Sequence, residues 1–125
     1  MPHRILSVDD EPDVTELLRF HLTKAGYEVW TASSGREAIE TIRSWRPDLV
    51  LLDLMLPDID GFGVCEILRR NAATAATPII ILSAWATNDA RNVGMELGAL
   101  EYVTKPFSPR DLVERVDRLF HAGSK

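Results

Sequence analysis

The chain has little that would tie it to an oxidising compartment, a membrane or a polyanion. Cys65 is its single cysteine, which excludes an intramolecular disulfide and suits a reducing compartment. No apolar run approaches the roughly 18 residues that a membrane-spanning helix needs. The opening "MPHRILSVDDE" soon turns acidic and lacks the pattern of a secretory signal. Basic charge is not in excess: 14 Lys and Arg stand against 19 Asp and Glu, a net charge of −5. Electrostatics therefore gives no reason to expect direct contact with nucleic acid or an anionic membrane surface. Repeats, low-complexity tracts and internal linkers are also absent. What remains is a chain of 125 residues, 46% hydrophobic and 26% charged, enough for one core. It is expected to be cytoplasmic, with one domain over residues 1–121 and a short fraying tail at 122–125.

Short apolar runs alternate with amphipathic stretches. Strands are expected at 4–8 (RILSV), 28–32 (EVWTA), 49–53 (LVLLD), 78–83 (PIIILS) and 100–104 (LEYVT). The third and fourth runs are continuously apolar, as in parallel strands covered on both faces. Val14, Leu17, Leu18, His21, Leu22 and Ala25 recur on one face of a first helix, and Gly26 stands where a helix stops. Ala38, Ile39, Ile42 and Trp45 mark a second helix, halted by Pro47. A third is expected over 61–71, with Val64, Ile67 and Leu68 inward, and a fifth over 109–120, with Leu112, Val113, Val116, Leu119 and Phe120 inward. The fourth, near 87–97, contains Asn88, Asn92 and Gly94, and only Ala90, Val93 and Leu97 define a face. Its low propensity fits either a mobile element or a weak helix held by packing. Strict βα alternation implies an α/β fold, a doubly wound five-stranded parallel sheet with five helices and a ligand crevice beyond the carboxyl ends of its strands.

The stretch "LVLLDLMLPDIDG" at 49–61 places a carboxylate, Asp53, at the end of an oily run. In a parallel sheet the oddity resolves, because Asp53 becomes the exit of the third strand. Asp9 and Asp10 close the first strand, Ser83 the fourth, and Thr104 with Lys105 the fifth. Two carboxylates about 4 Å apart repel by roughly 4 kcal/mol at an effective dielectric near 20. Protons or a cation must therefore accompany the acids, and oxygen-only donors select a hard divalent ion such as Mg2+. An open site of this kind beside a lysine suits a transferring phosphoryl group. Taken singly, each residue has a plainer role. Asp10 before Glu11 and Pro12 could cap a helix. Asp53 could sit in a turn, Ser83 could bond the backbone at a strand end, Lys105 could be a surface lysine and Tyr102 a core residue. Their joint arrival on one edge carries the functional reading.

"VDDE" at 8–11, "LLDLMLPDIDG" at 51–61, "LSA" at 82–84 and "GALEYVTKPFSPRDL" at 98–112 resemble the receiver domain of two-component response regulators, and the likeness spans about 4–120. The resemblance implies a flavodoxin-like sheet of order 2-1-3-4-5. It implies that Asp53 accepts a phosphoryl group from a phosphohistidine on a sensor histidine kinase or phosphotransfer protein. Asp10 would bind Mg2+ directly, with Asp53 and the backbone carbonyl of Met55, and Asp9 through water. Lys105, before a cis Pro106, would contact the phosphoryl oxygens. Ser83 would be the hydroxyl switch and Tyr102 the aromatic switch, filling space that Ser83 vacates. The surface of the fourth helix and the fifth strand would then change, to control an output domain or a downstream effector.

"MLPDIDG" and "YVTKPFSPRDL" resemble most the branch with winged-helix DNA-binding outputs, which forms phosphorylation-dependent homodimers through the fourth helix, fifth strand and fifth helix. Arg91 with Asp111 and Glu101 with Arg115 match two of its charged pairs, whereas Leu97, Leu100 and Asp117 depart from them. Ser83 replaces the commoner threonine. Bulk at Trp85 and Met55 beside the site leads to an expectation of slow self-dephosphorylation, with Trp85→Ala faster; the plainer alternative is that Trp85 packs on the surface or in a partner interface. Three rivals fit less well. A haloacid-dehalogenase hydrolase needs an aspartate where Met55 stands. A nucleotide or flavin module needs a phosphate loop where "DDEPD" stands. A docking-only pseudo-receiver has no use for the intact set Asp9, Asp10, Asp53, Ser83 and Lys105.

Overall fold

A computed structural model of the chain describes residues 2–121; the tail expected at 122–125 lies outside the described residues. The elements are β1 (Arg4–Val8), α1 (Pro12–Lys24), β2 (Glu28–Ala32), α2 (Gly35–Trp45), β3 (Leu49–Leu52), α3 (Gly61–Arg70), β4 (Ile79–Ser83), α4 (Asn88–Glu96), β5 (Glu101–Thr104) and α5 (Pro109–His121). All strand pairs are parallel and the sheet order is β2-β1-β3-β4-β5. The two oily runs, β3 and β4, lie side by side and are buried at every residue, so covering both sheet faces requires helices on each. Leu18 and Leu22 of α1 and Leu112 and Val116 of α5 pack on Ile5, Leu49, Leu51, Ile80 and Leu82. On the other face α2 and α3 bury Ala38, Ile42, Val64, Cys65 and Leu68 against Leu6, Val50, Leu52, Ile79 and Ile81. No helix among the described residues is long and apolar enough to cross a membrane.

Local chemistry starts and stops these helices. Ser34 accepts from the Glu37 amide at 3.1 Å, Asp60 from Gly63 at 2.9 Å and Thr87 from Ala90 at 3.2 Å, each satisfying an orphan N–H of the first turn. Gly26 ends α1 with φ +101°, a region glycine enters without a Cβ clash. Two sequence expectations are corrected at α1. Its N-cap is Glu11 rather than Asp10, and no side chain caps it; the Glu11 amide donates instead to Asp9 Oδ1 at 2.9 Å. Its buried stripe is narrower than the apolar pattern, with Thr15 inward and Leu17 and Ala25 exposed, because only one line of the helix meets the sheet. β3 also stops at Leu52, so Asp53 belongs to the loop, although its amide still donates to Val8 O at 3.0 Å.

The weak fourth helix is held at few points. Gly94 is its one buried residue, and a Cβ there would lie 2.7 Å from Ile81 Cδ1 and 3.3 Å from the Tyr102 ring, so only glycine lets the helix come this close. At its C-terminal end the Arg69 guanidinium reaches across from α3. Nε donates to Leu97 O at 3.0 Å and Nη2 to Gly98 O at 3.2 Å, while Nη1 donates to the carbonyls of Ala75 and Thr77, both at 2.9 Å. The last turn of α4 has no basic residue of its own, and Arg69 supplies the cation that helix carbonyls favour.

The loop from β3 to α3 is anchored by Asp58, whose two oxygens accept from the amides of Gly35 at 2.7 Å and Arg36 at 2.9 Å at the start of α2. These backbone N–H groups hold the carboxyl down at about 2, against an ordinary 3.8. A depressed carboxyl adds stability that is fully present above its unfolded value and is lost as pH falls through its folded value. Asp58→Asn should therefore unfold more easily than the parent at pH 7. The difference between the two should shrink between about pH 4 and pH 2 in urea titrations; a difference that is constant over that window would refute the clamp.

Candidate functional site

Parallel strands deliver their carboxyl ends to one edge, and the structure gathers the sequence candidates there. Asp9 and Asp10 leave β1, Asp53 leaves β3, Ser83 ends β4 and Lys105 follows β5. Carboxylate oxygens of Asp9, Asp10 and Asp53 lie within 4.8 Å of one another; Asp9 and Asp53 are buried and Asp10 is exposed. Lys105 Nζ lies 2.7 Å from Asp9 Oδ2 and 3.5 Å from both Asp53 Oδ2 and Glu11 Oε1. A cavity of about 300 Å³ opens here, lined by Asp10, Glu11, Asp53, Met55, Ala84 and Lys105. The Lys105–Pro106 peptide bond is cis.

Burial, and after it the neighbouring Asp9 carboxylate, pushes the Asp53 carboxyl above its usual range. Lys105 and the backbone amides of Met55 and Leu54 pull the other way and do not cancel it. Burial also works against the Lys105 ammonium. The hydrogen bond to Asp9 and the charges of Asp53, Asp9 and Glu11 outweigh that, and hold it above the ordinary lysine value. One cation thus serves three acids, and the site is left with an excess of negative charge. Three oxygen donors converging without nitrogen or sulfur suit a hard divalent cation.

A model of the response regulator receiver domain matches residues 5–117. The chain belongs to the response regulator receiver family. It is 45% identical over 116 residues to the alkaline phosphatase synthesis transcriptional regulatory protein PhoP of Bacillus subtilis, covering 93% of this chain and 48% of that one. The chain therefore spans about half the length of this curated relative. Among solved structures, the receiver domain of Francisella response regulator 1452 superposes with a TM-score of 0.89 at 31% identity, covering 96% of this chain and 98% of that one. The BeF3-activated N-terminal receiver domain of Klebsiella pneumoniae RstA gives 0.84 at 34% identity, covering 92% and 96%. The sheet order expected from the resemblance is the one observed.

Beside the acids of this receiver, the two expected switch residues meet at the backbone of one residue, Trp85. The fully buried Ser83 accepts from the Trp85 N–H at 3.1 Å through its hydroxyl, and the Tyr102 hydroxyl donates to the Trp85 carbonyl at 2.5 Å. Tyr102 already lies inward, only 6% exposed, in the space that Gly94 leaves open, so no vacancy at Ser83 is needed to admit it. Arg91 stacks its guanidinium 5.1 Å from the Tyr102 ring centre and donates to the Tyr102 carbonyl at 3.1 Å. Glu101 and Arg115 pair within the chain. Two residues near the site were not settled by the sequence. Trp85 does not border the cavity: its ring lies 6.3 Å from Phe62, over a separate groove, because its backbone is held from both sides. Glu11 reaches Lys105, which its place beside Pro12 did not announce.

With Asp53 held above its unfolded value, its ionised form opposes folding. That penalty grows as pH rises through the folded value and vanishes below the unfolded one. In metal-free buffer at pH 7, Asp53→Asn should melt higher than the parent. The gain should fade on acidification in calorimetric scans, and a lower melting point at pH 7 would contradict the assignment.

Proposed function

We propose that Asp53 is the phosphoacceptor of this receiver and that the switch runs from it through Ser83 and Tyr102 to α4, β5 and α5. The observation that carries the reading is the convergence of three carboxylates within 4.8 Å around the single ammonium of Lys105. The donor set fits Mg2+, with Asp10, Asp53 and the Met55 carbonyl as direct ligands and Asp9 acting through water. When bound, the ion neutralises charge on the oxygens of the phosphoryl group.

The chain's own residues do the rest. An Asp53 oxygen attacks the phosphorus of a kinase phosphohistidine in line, and the imidazole departs with the bonding pair. Lys105 shifts from Asp9 to a phosphoryl oxygen, replacing one charge-assisted bond with another. The phosphoaspartate adds about two negative charges and strong acceptors. Ser83 accepts from the Trp85 N–H and so keeps its own hydroxyl proton to offer to one of them; drawing the Ser83 side chain toward the phosphoryl group pulls on Trp85, whose carbonyl holds the Tyr102 hydroxyl. The β4–α4 connection then moves, and the α4-β5-α5 surface is altered for its reader. That reader is an output domain of the winged-helix kind, a downstream effector or a second copy of the chain. The setting is cytoplasmic, beside a sensor kinase, without direct contact of this domain with nucleic acid or membrane. Water later hydrolyses the acyl phosphate, so the domain catalyses both its own modification and, slowly, its reversal.

Incubation with acetyl phosphate and Mg2+ should add the mass of one phosphoryl group, Asp53→Asn should add none, and chelation of the metal should prevent the addition. A phosphoryl group on the Asp53→Asn chain would overturn the assignment. Of the two bulky neighbours only Met55 borders the cavity, so Met55→Ala should speed loss of the phosphoryl group by about threefold and Trp85→Ala by less than about twofold. Single-turnover decay followed by mass spectrometry measures both, and the reverse order would place Trp85 on the path of the attacking water.

A further inference from the structure

Glu11 is a fourth carboxylate at the site, outside the cluster of three. It occupies the N-cap position of α1 yet makes no cap bond. Its side chain is instead 65% exposed at the rim of the cavity, with Oε1 3.5 Å from Lys105 Nζ. Asp53, by contrast, is 5% exposed at the floor. In-line attack from the floor sends the leaving group out through the open side of the cavity, whose lining includes the exposed Glu11 carboxylate. Resting on the phosphoacceptor reading, we propose that Glu11 selects the phosphodonor by the charge of its leaving group: it disfavours acyl phosphates and spares phosphoramidates such as phosphohistidine.

The chemistry of the two classes differs at this point. In both, an Asp53 oxygen forms the new P–O bond. With acetyl phosphate the acyl P–O bond breaks and acetate departs carrying the electron pair and a negative charge, toward a carboxylate. With a phosphoramidate protonated on nitrogen the P–N bond breaks and a neutral amine or imidazole departs; its positive charge before cleavage is attracted by Glu11. Glu11 also competes with the incoming phosphoryl oxygens for Lys105, but that competition acts on both donors alike and cancels in their ratio.

The test compares acetyl phosphate with phosphoramidate on the parent, Glu11→Gln and Glu11→Lys, each checked for an unchanged far-ultraviolet spectrum. The rate ratio of acetyl phosphate to phosphoramidate should rise about threefold in Glu11→Gln, more in Glu11→Lys, and the difference from the parent should shrink in high salt. Mg2+ affinity, read from tryptophan fluorescence, should stay within about twofold, since Glu11 is not among the converging ligands. An unchanged donor ratio overturns the proposal, as does a Mg2+ affinity that falls as far as in Asp10→Asn. If the parent takes phosphate from neither donor, the phosphoacceptor reading fails, and this proposal with it.

Discussion

Everything in this receiver depends on one half-buried ammonium shared among acids. Lys105 bonds Asp9 at 2.7 Å and stands 3.5 Å from Asp53, two carboxylates that burial and mutual repulsion would otherwise make untenable side by side. A single cation cannot neutralise Asp9, Asp10, Asp53 and Glu11 together. The fold thus keeps an unbalanced negative site under the end of its sheet. Such a site suits a divalent cation and, on the proposed reading, a phosphoryl group whose oxygens take the lysine that Asp9 holds here. Stability is given up at the place where chemistry needs charge to be unsatisfied.

The route proposed from this cluster to the surface is short and polar. Ser83 and Tyr102 sit on adjacent strands, β4 and β5, and hold the N–H and the carbonyl of Trp85 between them. Trp85 leads directly into the Thr87 cap of α4. That helix packs through a glycine, and its far end is fastened to α3 and the preceding loop by Arg69. A helix gripped at its C-terminal end and tied at the other by two hydrogen bonds at Trp85 has an obvious end to release. Both ties run to residues that the incoming charge can reach or follow. The inward position of Tyr102 shows that ring placement alone does not define the resting state here. The hydrogen bonds at Trp85 are the finer marker.

Most of the architecture was legible in the amino-acid order, for identifiable reasons. The all-apolar β3 and β4 can lie only in the middle of a parallel sheet, and strict alternation of strands and helices leaves few topologies. Gly26 and Pro47 announced helix stops, whereas the caps Ser34, Asp60 and Thr87 were recognised only in the structure. Less legible were properties set by neighbours distant in sequence. Leu17 belongs to the apolar pattern of α1 but faces solvent, since the sheet meets a line too narrow to include it. Asp10 reads as a cap, yet the α1 N-cap makes no side-chain bond and Asp10 joins the acids. Trp85 follows the site by two residues and still points away from it.

The sequence by itself determined the element order, the two oily central strands and the set of polar residues at strand ends, because periodicity and turn chemistry are local. Only the tertiary structure decided which of those residues touch: that Lys105 leans on Asp9, that Glu11 completes its circle of acids, and that Ser83 and Tyr102 both bond the backbone of Trp85. Those contacts join loops as much as 96 positions apart, and their lengths depend on how five strands and five helices settle together. No pattern within a single segment records that packing.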